Sequence, residues 1–185
     1  MKTGENASKY LEDLLASEKK AQDSKLCLYS QKDAPMPIFA DLVGNTKLAK
    51  EYEQMVLKRP DRRFAGVVEY CFSGMKYKVR LEDEGRSVSF NLLGIKTMSS
   101  DKNQPIFDDY ANDALRFAKD LLFQRDVTIE LFFADKRGNF FGTLTMANKS
   151  DFATKLLEEG LAMVHVQGKS IIPGLDKLQA AEKAA

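Results

Sequence analysis

Three arginines crowd one short stretch, Arg59, Arg62 and Arg63, in the run Arg-Pro-Asp-Arg-Arg. Guanidinium groups so close together suit phosphate oxygens, which they bind in a planar fork. A second set of cations alternates along one predicted strand, with Lys76, Lys78 and Arg80 on one side and Met75, Tyr77, Val79 and Leu81 on the other. Lys96, and Lys136 with Arg137 in a Gly-containing turn, could extend that row into a basic face. Beside it Tyr77, Phe140 and Phe141 are candidate stacking groups for unpaired bases. Each feature also has a plainer reading. The arginine run fits a solvated linker, and a charged row on an outer strand keeps that strand soluble. Tyr77 and one of Phe140 and Phe141 share the inward register, which places them in a core.

Other reactive residues offer less. His165 is the sole histidine and has no Cys, Asp or Ser at a catalytic spacing, so it reads as a structural residue on a short strand. Cys27 and Cys71 lie far apart, match no metal or redox spacing, and fit a reduced intracellular setting. Asp101, Asp108 and Asp109 are expected as solvated acids in a polar loop. Net charge is +1 over 185 residues, so any polyanion surface must arise from local segregation. With no signal peptide and no long apolar run, neither secretion nor a membrane span is expected.

The elements that must position these groups can be read in order. Residues 1–30 look helical, with Tyr10, Leu11, Leu14 and Leu15 forming a short apolar stripe. Leu14, Ala16, Glu18, Lys19 and Ala21 recur at one constant offset as Leu178, Ala180, Glu182, Lys183 and Ala185. The proline-containing 31–38 run should be an extended connector. Asn45 or Thr46 then caps a helix to about Leu57, with Leu48, Tyr52, Met55 and Val56 at helical spacing. Three strands follow at 65–72, 75–81 and 88–95, the first closed by the turn pair Ser73-Gly74. A helix over 110–123 leads to a hairpin, 127–133 and 140–146. A further helix starts at Ser150-Asp151 and stops at Gly160; a short strand over 161–166 and a last helix after Pro173-Gly174 complete the chain. A three-strand meander, a helix and two more strands predict an α+β fold, a five-stranded OB-fold-like barrel with about three packed helices behind a helical extension.

Several of these stretches together carry a resemblance. AGVVEYCFSGMKYKVRL, FNLLGIKT, FAKDLLFQRDVTIEL, DKRGNFFGTL, LLEEGLAMVHV and LQAAEKAA resemble the staphylococcal-nuclease-like domain of the Tudor staphylococcal nuclease family. The last full repeat before the Tudor module is the most similar, and FADLVGNTKLAKEYEQMVLKR resembles the connector ahead of it. The resemblance implies residues 1–30 as the closing helix of a preceding repeat, 31–63 as a connector with one amphipathic helix, and 64–185 as the nuclease-like domain. It also implies a parent with RNA, neighbouring repeats, the Tudor module and proteins of silencing or transcription complexes as partners. The parent would be cytoplasmic, with the nucleus as a second location.

An active enzyme of this fold uses a calcium-holding carboxylate cluster, a glutamate base and two arginines that neutralise the phosphate. Carried over by motif, the first-strand turn that should read Asp-Gly-Asp is Ser73-Gly74-Met75. The first arginine becomes Asn91, Asp-Thr-Pro-Glu becomes Lys96-Thr97-Met98-Ser99, and Asp-Lys-Tyr-Gly-Arg ends in Asn139. Within the Asp-Thr-Pro-Glu pattern only Thr97 keeps its residue. The resemblance therefore implies a degenerate nuclease site, with no metal and no cofactor. The expected role is RNA binding and scaffolding. The competing expectation is a protein-interaction spacer that binds no nucleic acid of its own.

Overall fold

The computed structural model describes residues 10–26, 29, 39–98, 105–166 and 172–185. Ser99, Cys27, Asp101 and the 31–38 connector lie outside the described residues. The chain divides into two compact units, Met1–Ile38 and Phe39–Ala185. In the first, helix α1 spans Leu11–Asp23, with Glu12 and Asp13 in its first turn and Lys20 in its last, the charge order that complements a helix dipole. None of its residues is buried, and Leu14 and Leu15 are exposed.

The second unit opens with a two-residue strand β1, Ala40–Asp41, and helix α2, Thr46–Leu57. Asn45 caps α2, its side-chain oxygen accepting from Leu48 N at 3.2 Å. The helix buries Ala49, Tyr52 and Val56. Leu48 and Met55, expected inward from helical spacing, are exposed instead. The face is set by Tyr52, which meets Phe64 and Phe140 with ring centroids 6.4 and 5.8 Å away. A large ring gains most from burial and so decides the rotation of a short helix.

The barrel strands are β2, Arg63–Cys71; β3, Lys76–Leu81; β4, Arg86–Leu92; β6, Asp126–Ala134; and β7, Asn139–Met146. β2, β3 and β4 form an antiparallel meander, and β6 with β7 a hairpin whose first strand pairs with β2. Parallel pairing of β4 with β7 closes the five-stranded barrel, and β1 adds to the free end of β4. Val79, Leu81, Val88, Phe90, Ile129 and Leu144 fill the interior. The third strand does not run straight to Ile95 as expected. Gly94, at φ +87°, breaks it, and Ile95–Thr97 forms β5, which pairs with β8, Ala162–Val164, in a separate sheet.

Helix α3, Pro105–Leu122, starts earlier than the spacing predicts. Asp108 and Asp109 therefore sit in its first turns, not in a polar loop. Helix α4, Phe152–Glu158, is capped by Asp151 through Thr154 N at 2.9 Å, and α5 spans Leu175–Ala184. Phe152 plugs one end of the barrel, edge-on to Tyr77 at 6.2 Å and stacked on Phe117 at 6.0 Å. Tyr77 and Phe140 are fully enclosed, so neither is a stacking group for a ligand. Among the described residues no helix is long and apolar enough to cross a membrane.

The tightest point of the barrel is Gly142, where a Cβ would stand 1.8 Å from the Glu130 carbonyl oxygen on β6. Gly142→Ala must push two paired strands apart and should cost about 3 kcal/mol, a fall in Tm of about 6–12 °C. Gly160→Ala meets no atom within 4 Å and only strains a left-handed residue at φ +66°. It should cost about 1 kcal/mol. Thermal melts of both variants compare the two effects directly.

Candidate nucleic-acid interface

The basic residues singled out from sequence fall into two classes in the fold. Arg59 is clamped by Glu84, with Nη1 2.6 Å and Nη2 3.3 Å from the two carboxylate oxygens, and its guanidinium sits over Phe64. Arg63 meets Glu130 at 3.2 Å. Lys78 lies 2.7 Å from Asp41 and 3.6 Å from Glu69. Arg80 reaches Glu69 at 3.7 Å and Glu82 at 3.2 Å, and covers the Phe39 ring. Arg62 donates to the Leu57 carbonyl. Along β3 the charge of Lys78 and Arg80 is matched by acids from β1, β2 and the β3–β4 turn.

Two features that sequence periodicity does not show bring those acids in. A bulge in β2 between Val68 and Tyr70 breaks the alternation, so Glu69 and Tyr70 both face outward. Parallel pairing sets Asp41 beside Ser87 on β4, one strand from the cationic row. The hydrogen bond that Lys78 donates to Asp41, with the nearby charges of Asp41 and Glu69, holds the Lys78 ammonium above its usual pKa, against a smaller opposing effect of burial.

Of the cations singled out from sequence, Lys76, Lys96, Lys136 and Arg137, together with Arg62, form no ion pair with a described residue, in contrast to Arg59, Arg63, Lys78 and Arg80. Lys96 lines a shallow groove of about 330 Å³ with Ser73, Met75, Ile95, Thr97, Met98 and His165. The groove forms where β5 pairs with β8, Lys96 standing opposite Met163. His165 follows β8 and is anchored by its N–H to the Gly94 carbonyl at 2.9 Å. It is exposed at the groove instead of being a packed structural residue, and only the fold reveals this placement. At the other wall, Ser73 Oγ accepts from the backbone N–H groups of Met75 and Lys76 at 3.3 and 3.1 Å.

Lys76 links this groove to the β6–β7 turn, because its charge acts on Asp135. That turn, Asp135 to Asn139, is built on one carboxylate. Asp135 accepts from Arg137 N, Asn139 N and Asn139 Nδ2, each at 2.8 Å. Asn139 Oδ1 in turn accepts from Ser89 Oγ at 2.8 Å, so its carboxamide is engaged at both ends. Asn91 is buried on β4, opposite Lys76 on one side and Phe141 on the other. Phe141 is half-buried and stacked on Phe133 with centroids 5.1 Å apart. Lys136 and Arg137 project from the turn into solvent. Cys71 is buried, which pushes its thiol pKa up to about 11 and leaves it unreactive.

A closed five-stranded barrel with this groove and turn on one flank matches a known family. A family model described as staphylococcal nuclease homologue matches residues 89–185. The chain belongs to that family, as a repeat of the Tudor staphylococcal nuclease type. Ribonuclease TUDOR 2 of Arabidopsis thaliana is 32% identical over 184 residues, 98% of this chain and 18% of the plant protein. Staphylococcal nuclease domain-containing protein 1 of Schizosaccharomyces pombe is 29% identical over 152 residues, 80% of this chain and 17% of the yeast protein. The repeat thus spans less than a fifth of the length of these relatives.

The calcium used by nucleases of this fold finds a poor donor set in the repeat. Met75 offers a thioether, the Ser73 hydroxyl already serves two backbone donors, and Lys96 brings positive charge. A hard cation needs several oxygens, preferably anionic. Among the described residues no three His, Cys, Asp or Glu side chains converge. The groove residues do not fit the ion.

Asp135 also sets a pH test. Burial alone would raise its pKa, but the bonds from Asn139 and Arg137 and the Lys76 charge outweigh that and hold it below the ordinary 3.8. A depressed folded-state pKa means the stabilisation is complete above the unfolded value of about 4. It is lost as pH falls through the lower folded value. Protection of the Arg137 and Asn139 amides, relative to their intrinsic exchange rates, should therefore fall below about pH 4, and Asp135→Asn should abolish that loss of protection.

Proposed function

We propose that this repeat binds RNA without cutting it and serves as a scaffold within a longer Tudor staphylococcal nuclease chain. The observation that carries the reading is how ion pairing divides the cations singled out from sequence. Lys76, Lys96, Lys136 and Arg137 border the groove and the adjoining turn, whereas Arg59, Arg63, Lys78 and Arg80 are matched by carboxylates. Phosphate is attracted to charge that is not already compensated, so the groove flank is the anion-binding side.

Hydrolysis is not expected at this groove. By motif order Ser99 takes the sequence position of the general base, and a serine cannot act as one near neutral pH. Asn91 and Asn139 are neutral where charge is needed against a developing phosphorane, and Asn139 is tied to Ser89 and Asp135. Removing one such electrostatic group costs about 10²–10³ in rate. The Arabidopsis relative carries the word ribonuclease in its name. In a longer parent of this kind that activity would reside in other repeats, with this one holding RNA for silencing, processing or transcriptional coactivation.

A second reading, a protein-docking spacer, is favoured by one observation. Leu48, Met55 and Leu57 of α2 are exposed on a single short helix. RNA binding separates the two.

Fluorescence anisotropy with short single-stranded RNA at about 50 and 200 mM salt, with calcium and with chelator, should give affinity that falls with salt and ignores calcium. Each phosphate contact on a single strand adds about −0.7 to the log–log salt slope. Lys96→Glu with Lys136→Glu should weaken binding at least about tenfold, whereas Arg59→Gln should change it little. Absence of binding at low salt favours the spacer, and calcium-dependent cleavage by the purified chain overturns the proposal.

A further inference from the structure

We propose that Tyr70 and Phe72, with Lys76 beside them, form a stacking platform for the unpaired bases of single-stranded nucleic acid. The inference rests on the RNA-binding reading and names the form of RNA and the residues that select it.

Tyr70 and Phe72 flank the buried Cys71 at the end of β2 and remain 50% and 44% exposed. The β2 bulge is the cause, since it turns Tyr70 outward directly after the outward Glu69. Their rings meet each other at 5.0 Å with a tilt of 65°. The edge-to-face contact engages a face of only one ring and Lys76 lies over a face of Phe72, so Tyr70 keeps an open face, which is what a base stacks upon, with Phe72 set against it. Phe123 is exposed just beyond the end of α3. Its neighbour Gln124 donates to the Val68 and Glu69 carbonyls, which ties the end of the helix to β2.

Charge decides the occupant. Lys76 Nζ sits 5.6 Å from the Phe72 ring centroid and forms no ion pair with a described residue. Lys119, exposed on α3, is near enough for its charge to lower the thiol pKa of Cys71 against the larger effect of burial. The neighbouring acid, Glu69, is engaged by Lys78 and Arg80. The exposed rings are therefore bordered by cations that form no direct ion pair with a described residue, which suits a polyanion carrying flat apolar groups. Phe72 directly precedes Ser73 of the groove, and Lys76 hydrogen-bonds to that serine through its N–H. One strand can thus place phosphates along Lys76 and Lys96 while its bases rest on the rings. A duplex keeps its base faces stacked internally and cannot use such a platform.

The test compares the full chain's affinity for three probes of matched length: an all-pyrimidine RNA strand, the same strand with consecutive abasic sites, and an RNA duplex. The base-containing strand should bind about tenfold tighter than the abasic strand of equal charge. Tyr70→Ser with Phe72→Ser should reduce that ratio to less than about twofold while leaving the salt slope unchanged. Phe72→Trp should preserve the ratio and show indole quenching on binding. Equal wild-type affinity for the base-containing and abasic strands overturns the platform but leaves RNA binding standing. A ratio that survives the double serine change overturns the assignment to these residues. No binding to any probe at low salt overturns both the platform and the RNA-binding reading.

Discussion

Parallel pairing between β4 and β7 is the contact on which the rest of the domain depends. The meander and the hairpin are each local, but only this pairing closes them into a barrel. It sets Ser89 against Asn139 and Asn91 against Phe141, so the turn that begins at Asp135 lies one strand from Lys76. The same closure creates the close approach at Gly142. Parallel contacts across a long sequence separation carry a loop-closure cost, which the enclosed rings of Tyr77, Phe90 and Phe140 offset by burial.

Electrostatics, more than composition, divides this surface. A chain with net charge +1 has no general attraction for a polyanion. Here the carboxylates are spent unevenly: Glu84, Glu130, Asp41, Glu69 and Glu82 pair directly with cations along β3 and the entry to β2, while Lys76 and Lys96 on the groove flank form no direct ion pair with a described residue. Exposed ion pairs contribute little to stability. Their consequence here is to direct where phosphate is attracted.

Much of the fold was legible from the chain alone. The alternation of Tyr77, Val79 and Leu81 matches β3, Asn45 and Asp151 cap the expected helices, and the meander, helix and hairpin give the barrel. What periodicity missed depends on non-local geometry. The β2 bulge places Glu69 and Tyr70 on one side, and β1 delivers Asp41 from a distant part of the chain. Leu48 and Met55 point away from the core because Tyr52 dominates the packing of α2. At the site, motif order identified Ser73, Met75, Lys96 and Thr97, and the fold gathers them in one groove. His165 joins them through the pairing of β5 with β8, which no local pattern signals.

Backbone amide shift mapping of the chain with a short single-stranded RNA at low salt tests most directly the claim that uncompensated charge locates the interface. The account predicts perturbations concentrated at Met75, Lys76, Lys96 and the turn from Asp135 to Asn139, with little change at Arg59, Arg63 and Arg80. Perturbations centred instead on Arg59 and Arg63, or on the ion-paired row of Lys78 and Arg80, would contradict it.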